Sequence, residues 1–410
     1  MVSLNQVVNI YFCGYDVNPA ILAGVGLGTT FMNVTYFAVC FGLNGVMQSL
    51  VAQANGAGNL RQSGIYVNRA RLVLTLWLPF AIFFSFFLGK TFEAIGIDQE
   101  TSNVAQIYTT RQIPGLIAFM YFDIGRQYLV ARELDPQYKS SWFLGGKETF
   151  KNLGEYVKLA VPSAILQCLE FAGFEMLCIL SGYISVTANA AQVITLTTNI
   201  MFYQIPIGLM IASTTIIGEL IGQRKSKLAK AQSCFIIKIN YISGLIMGSI
   251  LFIFRYQLAR AFSSNEEVIE ITSNAFIFSS VSHVLDFIYA IQTGSIRALT
   301  KFNLAVLGGF IAFYVFACPL GSLFALYFKL GVPGLWLGLI MGQFIVVSYF
   351  QYLLSWGFDW EQIIQKSYER QEAEIKMQNK QENLLVNNHK ILSNDGILSI
   401  EMQKPQKVVL

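Results

Sequence analysis

Four ionisable side chains stand in stretches that are otherwise apolar. Glu170 and Glu175 lie in "LQCLEFAGFEMLC" (166–178), and no lysine or arginine occurs between Lys158 and Arg224. His283 and Asp286 lie in "SHVLDF" (282–287) at i, i+3, which sets two side chains on one helical face. Burial disfavours the charged form of a carboxyl group, so such a group takes up a proton or finds a cation. An imidazole beside a carboxylate adds a second group that titrates near neutral pH. The chemistry within reach is reversible binding of a proton or a small cation. The alternative is structural: a protonated glutamate bonded to a neighbouring helix, and a His–Asp pair that fixes packing.

Five residues on a helix advance ~7.5 Å and turn ~140° beyond a full circle. Glu170 and Glu175 are therefore expected on different faces, one inside a helical bundle and the other toward a cleft. Asp123 and Arg126 are also i, i+3 and read as a local salt bridge. Pro162 removes an intrahelical hydrogen bond near the start of the segment that carries the glutamates.

The elements that must position these groups follow from composition. The chain has 410 residues, 54% hydrophobic and 13% charged, with a mean hydropathy of +0.51. A soluble domain carries about 25% charged residues. The expected fold class is an all-α polytopic membrane protein. Segments of ~20 apolar residues fall at 29–52, 72–89, 104–130, 156–182, 189–217, 232–254, 271–294, 303–328 and 333–356, and an apolar piece at 1–13 is too short to cross. Loops after the first, third, fifth and seventh spans hold fourteen basic residues, among them Arg61, Arg69, Arg71, Lys158, Arg224, Arg297 and Lys301. The other loops hold four: Lys90, Arg255, Arg260 and Lys329. The excess places the first set, and the C-terminus, in the cytoplasm. It also accounts for the net charge of +4 without a nucleic-acid partner.

Other features say less. The six cysteines stand in or beside apolar runs with no C-x-x-C spacing, and read as packing residues. No secretory signal is apparent. H-E-x-x-H, G-x-S-x-G and Walker patterns are absent, so no enzyme activity and no cofactor is expected. The sequon at Asn33 falls within a predicted span. The tail from Trp360, rich in Gln, Asn, Glu and Lys and holding His389, is expected to be a solvated helix followed by disorder, or else a partner-binding tail.

A weak internal repeat pairs "GLNGVMQSLVAQANGAGNLRQ" (42–62) with "IGLMIASTTIIGELIGQRKSK" (207–227), matching Gly58 with Gly222 and Arg61 with Lys225. Internal repeats mark many secondary transporters, and two copies with basic ends on the same side are parallel repeats about an axis along the membrane normal.

These residues resemble a family. "AGVGLGTTFMNVTYFAVCFGLNGVMQSLVAQANGAGNLRQSGIYVNRAR" (23–71) looks like the second span and following loop of eukaryotic multidrug and toxic compound extrusion (MATE) transporters. "LGEYVKLAVPSAILQCLEFAGFEMLCILSGYI" (153–184) is similar to their seventh span, "ANAAQV" and "IPIGLMIASTTIIGELIGQ" to the eighth, and "LDFIYAIQTGSIRAL" (285–299) to the tenth. The family has two six-helix lobes. Against it, this chain begins inside the first span and passes from "YLVARELDP" directly to the lead-in of span seven, lacking spans five and six. After C-L-E the family's paired aromatics are here Phe171 and Ala172, and an acidic residue in the eighth span of some animal members is here Thr197.

The resemblance implies a truncated N-lobe over 1–134, a cytoplasmic linker over 135–154, a six-span C-lobe over 155–358 and a cytoplasmic tail over 359–410. It implies export of organic cations, xenobiotics or metabolites in exchange for protons, with sodium coupling as a variant. The family's cation-binding pair falls by motif position on Glu170 and Asp286, with Glu175 and His283 beside it. Gln53 and Gln192 match family glutamines that either line the cleft or bond backbone across helices; Tyr203 and Tyr289 either pack or line a substrate site. Expected partners are the bilayer of a plasma or vacuolar/vesicular membrane, a small organic cation or amphipathic substrate, protons, and a second copy at the incomplete N-lobe. The alternative is a non-transporting truncated protein or regulatory subunit.

Overall fold

The computed structural model describes residues 19–130, 143 and 145–376. In hydrocarbon each backbone N–H and C=O must be bonded within the protein, which leaves helices as the economical solution for apolar segments of this length. The described residues are almost entirely helical: α1 Pro19–Met32, α2 Val39–Gly56, α3 Leu60–Ala94, α4 Gln99–Val130, α5 Leu153–Gly182, α6 Val186–Gly222, α7 Ser226–Ile253, α8 Arg255–Phe262, α9 Glu266–Ala298, α10 Phe302–Phe310, α11 Cys318–Ser322 and α12 Val332–Tyr352. A π-helical turn, Asn33–Ala38, joins α1 to α2, and others interrupt the α10–α11 rod and end α12. A last helix runs over 360–376.

Side chains close the helix starts that lack an apolar reason to begin. Asn59 accepts from the Gln62 amide, Ser185 from Ala188, and Asn265 from Glu267 and Val268.

Among the described residues eight helices are long and apolar enough to cross a membrane. The ninth expected span, at 104–130, is a helix too, α4, with 32 residues. Arg111, Asp123 and Arg126 keep its hydropathy below that of the others. The helices also outrun their apolar runs. At 1.5 Å per residue, α3 with 35 residues is roughly 52 Å long against a hydrocarbon core of ~30 Å. Arg61, Arg69, Arg71 and Arg297, expected in loops, therefore stand inside α3 and α9. Residues 1–13 and the Leu134–Trp142 junction lie outside the described residues, as do His389 and the rest of the tail beyond residue 376.

Among the described residues two large apolar cores form, beside a small cluster of Leu251, Ala259, Ile269 and Phe276. One gathers Met47, Leu50, Tyr66, Leu74, Met120 and Tyr128 from α2, α3 and α4, with Tyr156 from the first turn of α5. The other gathers Leu166, Leu177, Ile217, Ile296, Trp336 and Phe350, and includes Trp360, Ile363 and Ile364 of the last helix. α5 contributes to both. α9 runs through the second, packed on α6, α7 and α12, and every residue from Tyr289 to Leu299 is buried.

The cores meet where α2 crosses α6. A Cβ on Gly56 would run into the Glu219 carbonyl, and one on Gly222 would run into the Gln53 carbonyl. The two contacts are reciprocal: each glycine meets the carbonyl of the residue three before the other. Small residues one turn earlier, Ala52 and Gly218, also touch, giving the small-xxx-small crossing that lets backbones approach. The structure thus aligns Gly56, not Gly58, with Gly222. Gly58 lies past its helix at φ +75° and matches Arg224, at φ +59°, as the left-handed residue that ends each copy.

The last helix corrects the expectation of a solvated tail. Ser367, Gln371 and Glu374 are buried, because this helix covers the junction of the two cores at the basic end. Ser367 and Arg370 donate to Gln53 Oε1 and Gln371 donates to the Gln53 carbonyl. Arg69 pairs with Glu374 at 3.1 Å, Asn152 donates to the same carboxylate, and Arg224 lies over the Tyr368 ring.

Candidate functional site

Glu170 lies two-thirds of the way along α5, and its spacing from Ser163 and Gln167 sets all three on the buried side. Tyr203 of α6 donates to Glu170 Oε1 at 3.1 Å, and Gln167 Nε2 donates to Oε2 at 3.1 Å. The Gln167 carbonyl accepts from Arg297 Nη2 of α9 at 2.6 Å. With the guanidinium holding that oxygen, the amide can turn only its N–H₂ toward the carboxylate. Both Tyr203 and Gln167 thus donate to Glu170, a shell that suits the ionised form.

Asp286, about three turns back from Arg297 along α9 in the direction of the other membrane face, has a parallel arrangement. Gln343 Nε2 of α12 donates to Asp286 Oδ1 at 2.6 Å, and the Gln343 carbonyl accepts from Ser282 at 2.7 Å. Here too a second donor fixes the orientation of a glutamine. Glu170 interacts electrostatically with both Arg297 and Asp286, attracted by the first and repelled by the second. The guanidinium acts on Glu170, and Asp286 adds a second negative charge near that acid, so the cluster with a neutral imidazole is one positive charge short when both acids are ionised.

His283 is fully buried on the Asp286 face, but its Nδ1 stands 3.8 Å from Asp286 Oδ2, too far for a hydrogen bond. Its ring lies edge-on between Phe202 and Phe287. Tyr289 is buried and stacks on Phe350. Thr197 is half-buried on α6.

The absence of a basic partner, read from the gap between Lys158 and Arg224, is corrected by Arg297. That arginine follows its span in sequence by only a few residues and passes for a loop cation. The helix continues through it and turns it inward, where it is 4% exposed.

Glu175 leaves α5 on another side and joins the first core. Thr30 Oγ1 donates to its Oε2 at 2.8 Å, and Asn33 Nδ2 to its Oε1 at 2.9 Å. Asn33 opens the π-helical turn, a distortion frequent at functional positions. Asp123 and Arg126 form the expected local pair, Nε to Oδ1 at 3.0 Å, and Asn44 and Gln127 both donate to Asp123 Oδ2 at 2.7 Å.

Of the two glutamines, Gln53 bonds backbone across helices and Gln192 bonds a side chain instead. Gln192 Oε1 accepts from the Trp336 indole at 2.9 Å, and Gln53 Nε2 donates to the Ala298 carbonyl at 2.6 Å. Among the described residues no group of three or more His, Cys, Asp or Glu could hold a metal ion.

With this geometry in place, comparison with known proteins points one way. The MatE family model matches residues 1–133 and 162–323. The Multidrug and toxin extrusion protein 1 of Xenopus tropicalis is 25% identical over 441 residues, covering 93% of this chain and 76% of that protein. Protein DETOXIFICATION 8 of Arabidopsis thaliana is 25% identical over 427 residues, covering 90% and 87%. Among solved structures, the fold is similar to that of the eukaryotic MATE transporter AtDTX14, with a TM-score of 0.80 at 22% identity over 89% of this chain and 94% of that one.

Proposed function

The chain belongs to the MatE family, and from that premise we propose that it is a secondary antiporter that exports organic cations or other amphipathic molecules in exchange for protons. The observation that supports this is a charge imbalance: Glu170 and Asp286 are two buried acids held by glutamine donors and close enough to repel each other, and Arg297 reaches Glu170 alone, through Gln167. One proton or one monovalent cation balances the cluster, and the two compete. A proton taken up displaces a cationic substrate; loss of that proton restores the charge that holds the next one. Sodium would serve as counter-ion only within a dense cage of oxygens.

On this reading the two cores are two lobes, 1–134 and 155–358, joined by a linker over 135–154 and followed by the tail over 359–410. The basic ends face the cytoplasm. There the α2–α6 crossing and the 360–376 helix hold the lobes together, and alternating access requires both to part. At the opposite end the bond of Glu175 to Thr30 and Asn33 ties α5 to the N-lobe.

The test is efflux of a fluorescent organic cation from vesicles under an imposed pH gradient. Glu170→Gln and Asp286→Asn imitate permanent protonation, so each is expected to abolish gradient-driven efflux at near-normal expression. Full efflux in both variants overturns the mechanism. No efflux from the unmodified chain beside a working relative favours a non-transporting or regulatory protein.

A further inference from the structure

Between the first turns of α5 and the connection from α9 to α10 lies a cavity of about 300 Å³. Its walls differ in chemistry. Lys158, Thr300 and Lys301 supply a cationic and polar side, and Leu159, Pro162 and Leu304 an apolar one. Lys366 of the last helix stands near enough to repel Lys301. Among the described residues no acidic side chain pairs with any of these three lysines. Lys301 is half-buried; its burial first, and then the Lys366 charge, push its ammonium below the ordinary lysine range. Most lysines at this end avoid that cost by standing in solvent, as Lys225 and Lys227 do. An anion in the cavity would meet two ammonium groups and relieve the repulsion from the third.

The apolar wall narrows the class of anion. One turn further into the bundle, α5 exposes Val161 and Ile165, and α10 exposes Leu304 and Leu307. These are faces that the bilayer covers, and they continue the apolar wall. A free phosphate would make no use of Leu159, Pro162 and Leu304. An acyl chain would lie along them.

We propose that the cleft between α5 and the α9–α10 connection is a binding site for the phosphate headgroup of an anionic phospholipid of the cytoplasmic leaflet. Lys158 and Lys301 hold the phosphate, Thr300 offers its hydroxyl, and the acyl chains descend along α5 and α10. Basic pockets between helices at the cytoplasmic side are suited to such headgroups. The site rests on the assignment of the basic ends to the cytoplasm, but not on transport. Because the lipid joins the start of α5 to the connection after α9, it would brace the two helices that carry Glu170 and Arg297.

The experiment uses the full chain in nanodiscs of phosphatidylcholine, with and without phosphatidylserine. Thermal unfolding and native mass spectrometry of retained lipid are the readouts. Phosphatidylserine is expected to raise the unfolding temperature, and one anionic lipid should survive release from the disc. Lys158→Gln with Lys301→Gln should remove most of that gain and lower the retained fraction several-fold. The same chain with both lysines changed to Arg should keep the gain, which separates loss of the site from misfolding. Lys225→Gln with Lys227→Gln, at the same end but outside the cavity, should leave it intact. An equal gain in the Lys158/Lys301 glutamine variant overturns the site, as does absence of any gain in the unmodified chain. Loss in the Lys225/Lys227 variant as large as in the other means general surface attraction and also overturns it. If inorganic phosphate in phosphatidylcholine discs gives the same gain, the site takes a free anion and the lipid assignment fails. Neither readout involves efflux, so failure here is distinguishable from failure of the antiport reading.

Discussion

Arg297 and Glu170 are joined through one amide. The guanidinium holds the Gln167 carbonyl at 2.6 Å, and the N–H₂ of the same side chain faces the Glu170 carboxylate at 3.1 Å. The cation thus acts on the acid in two ways, by its charge and by fixing which end of the amide the acid meets. An amide free to rotate could offer its carbonyl to a protonated Glu170 and its N–H₂ to an ionised one. Held by Arg297, it favours the ionised form alone. Tyr203 is then the partner able to exchange roles, since a hydroxyl both donates and accepts.

Removing the guanidinium should therefore make Glu170 hold its proton more tightly. Arg297→Gln is expected to move the pH profile of efflux toward higher pH by about one unit, the effect of losing one nearby opposite charge. Gln167→Leu, which keeps the charge but removes the relay, should move it less in the same direction. Efflux rates measured across a pH series in matched vesicles check this. An unmoved profile for Arg297→Gln would show that the arginine only fills space.

How much of this could be read from the sequence depended on the neighbours of each residue. Glu170 and Asp286 announced themselves because a carboxylate in an apolar run has few innocent explanations. Arg297 did not, because "SIRALT" stands at the end of an apolar segment, where a cation normally marks the loop. Its inward turn comes from α9 continuing past the hydrocarbon to Ala298. The segment expected as a span at 104–130 is a helix, but Arg111, Asp123 and Arg126 leave α4 less apolar than the eight helices fit to cross a membrane. In the tail, the signal was present and diluted. Trp360, Ile363, Ile364, Ser367, Gln371 and Glu374 follow helical spacing and form the buried stripe, but only three of them are apolar. A stripe completed by polar residues looks solvated until a polar partner such as Gln53 is placed opposite it.

That stripe carries a stability prediction. Arg69 and Glu374 are both nearly inaccessible, and breaking a buried pair by removing one partner costs about 3–5 kcal/mol. Glu374→Leu alone strands the Arg69 guanidinium with the Lys151 carbonyl and the Tyr66 ring but no anion. It should lower the unfolding temperature in detergent more than the double change Arg69→Leu with Glu374→Leu. A double variant no better than the single one would mean that Arg69 finds water when Glu374 is gone.

The α2–α6 crossing is equally exacting. Gly222→Val places side-chain atoms against the Gln53 backbone, which cannot yield as a flexible side chain would. The cost is expected at or above the upper end of ordinary overpacking, about 3 kcal/mol. Gly208 lies on the same helix with nothing near its Cβ position, so Gly208→Ala should be neutral or slightly stabilising, by up to about 1 kcal/mol. Thermal unfolding of the two variants side by side checks the contrast. Equal behaviour would mean that the lobes do not meet at Gly56 and Gly222.

Glu175 offers a test on α5, toward the end opposite the α2–α6 crossing. Its two oxygens accept from Thr30 and Asn33, so Glu175→Gln can keep one of these bonds and must turn an N–H₂ on the other, while Glu175→Ala loses both. Cys168 reports the gap from the side of α5: its thiol lies half-buried, 3.7 Å from the Val34 carbonyl of the π-helical turn. In a background with the other five cysteines changed to serine or alanine, maleimide labelling of Cys168 should be slow in the parent. It should rise severalfold in Glu175→Ala and by an intermediate amount in Glu175→Gln, because each lost bond frees the turn from α5. Identical labelling in all three would mean that packing among Phe41, Phe119 and Phe171 closes this side without help from the carboxylate.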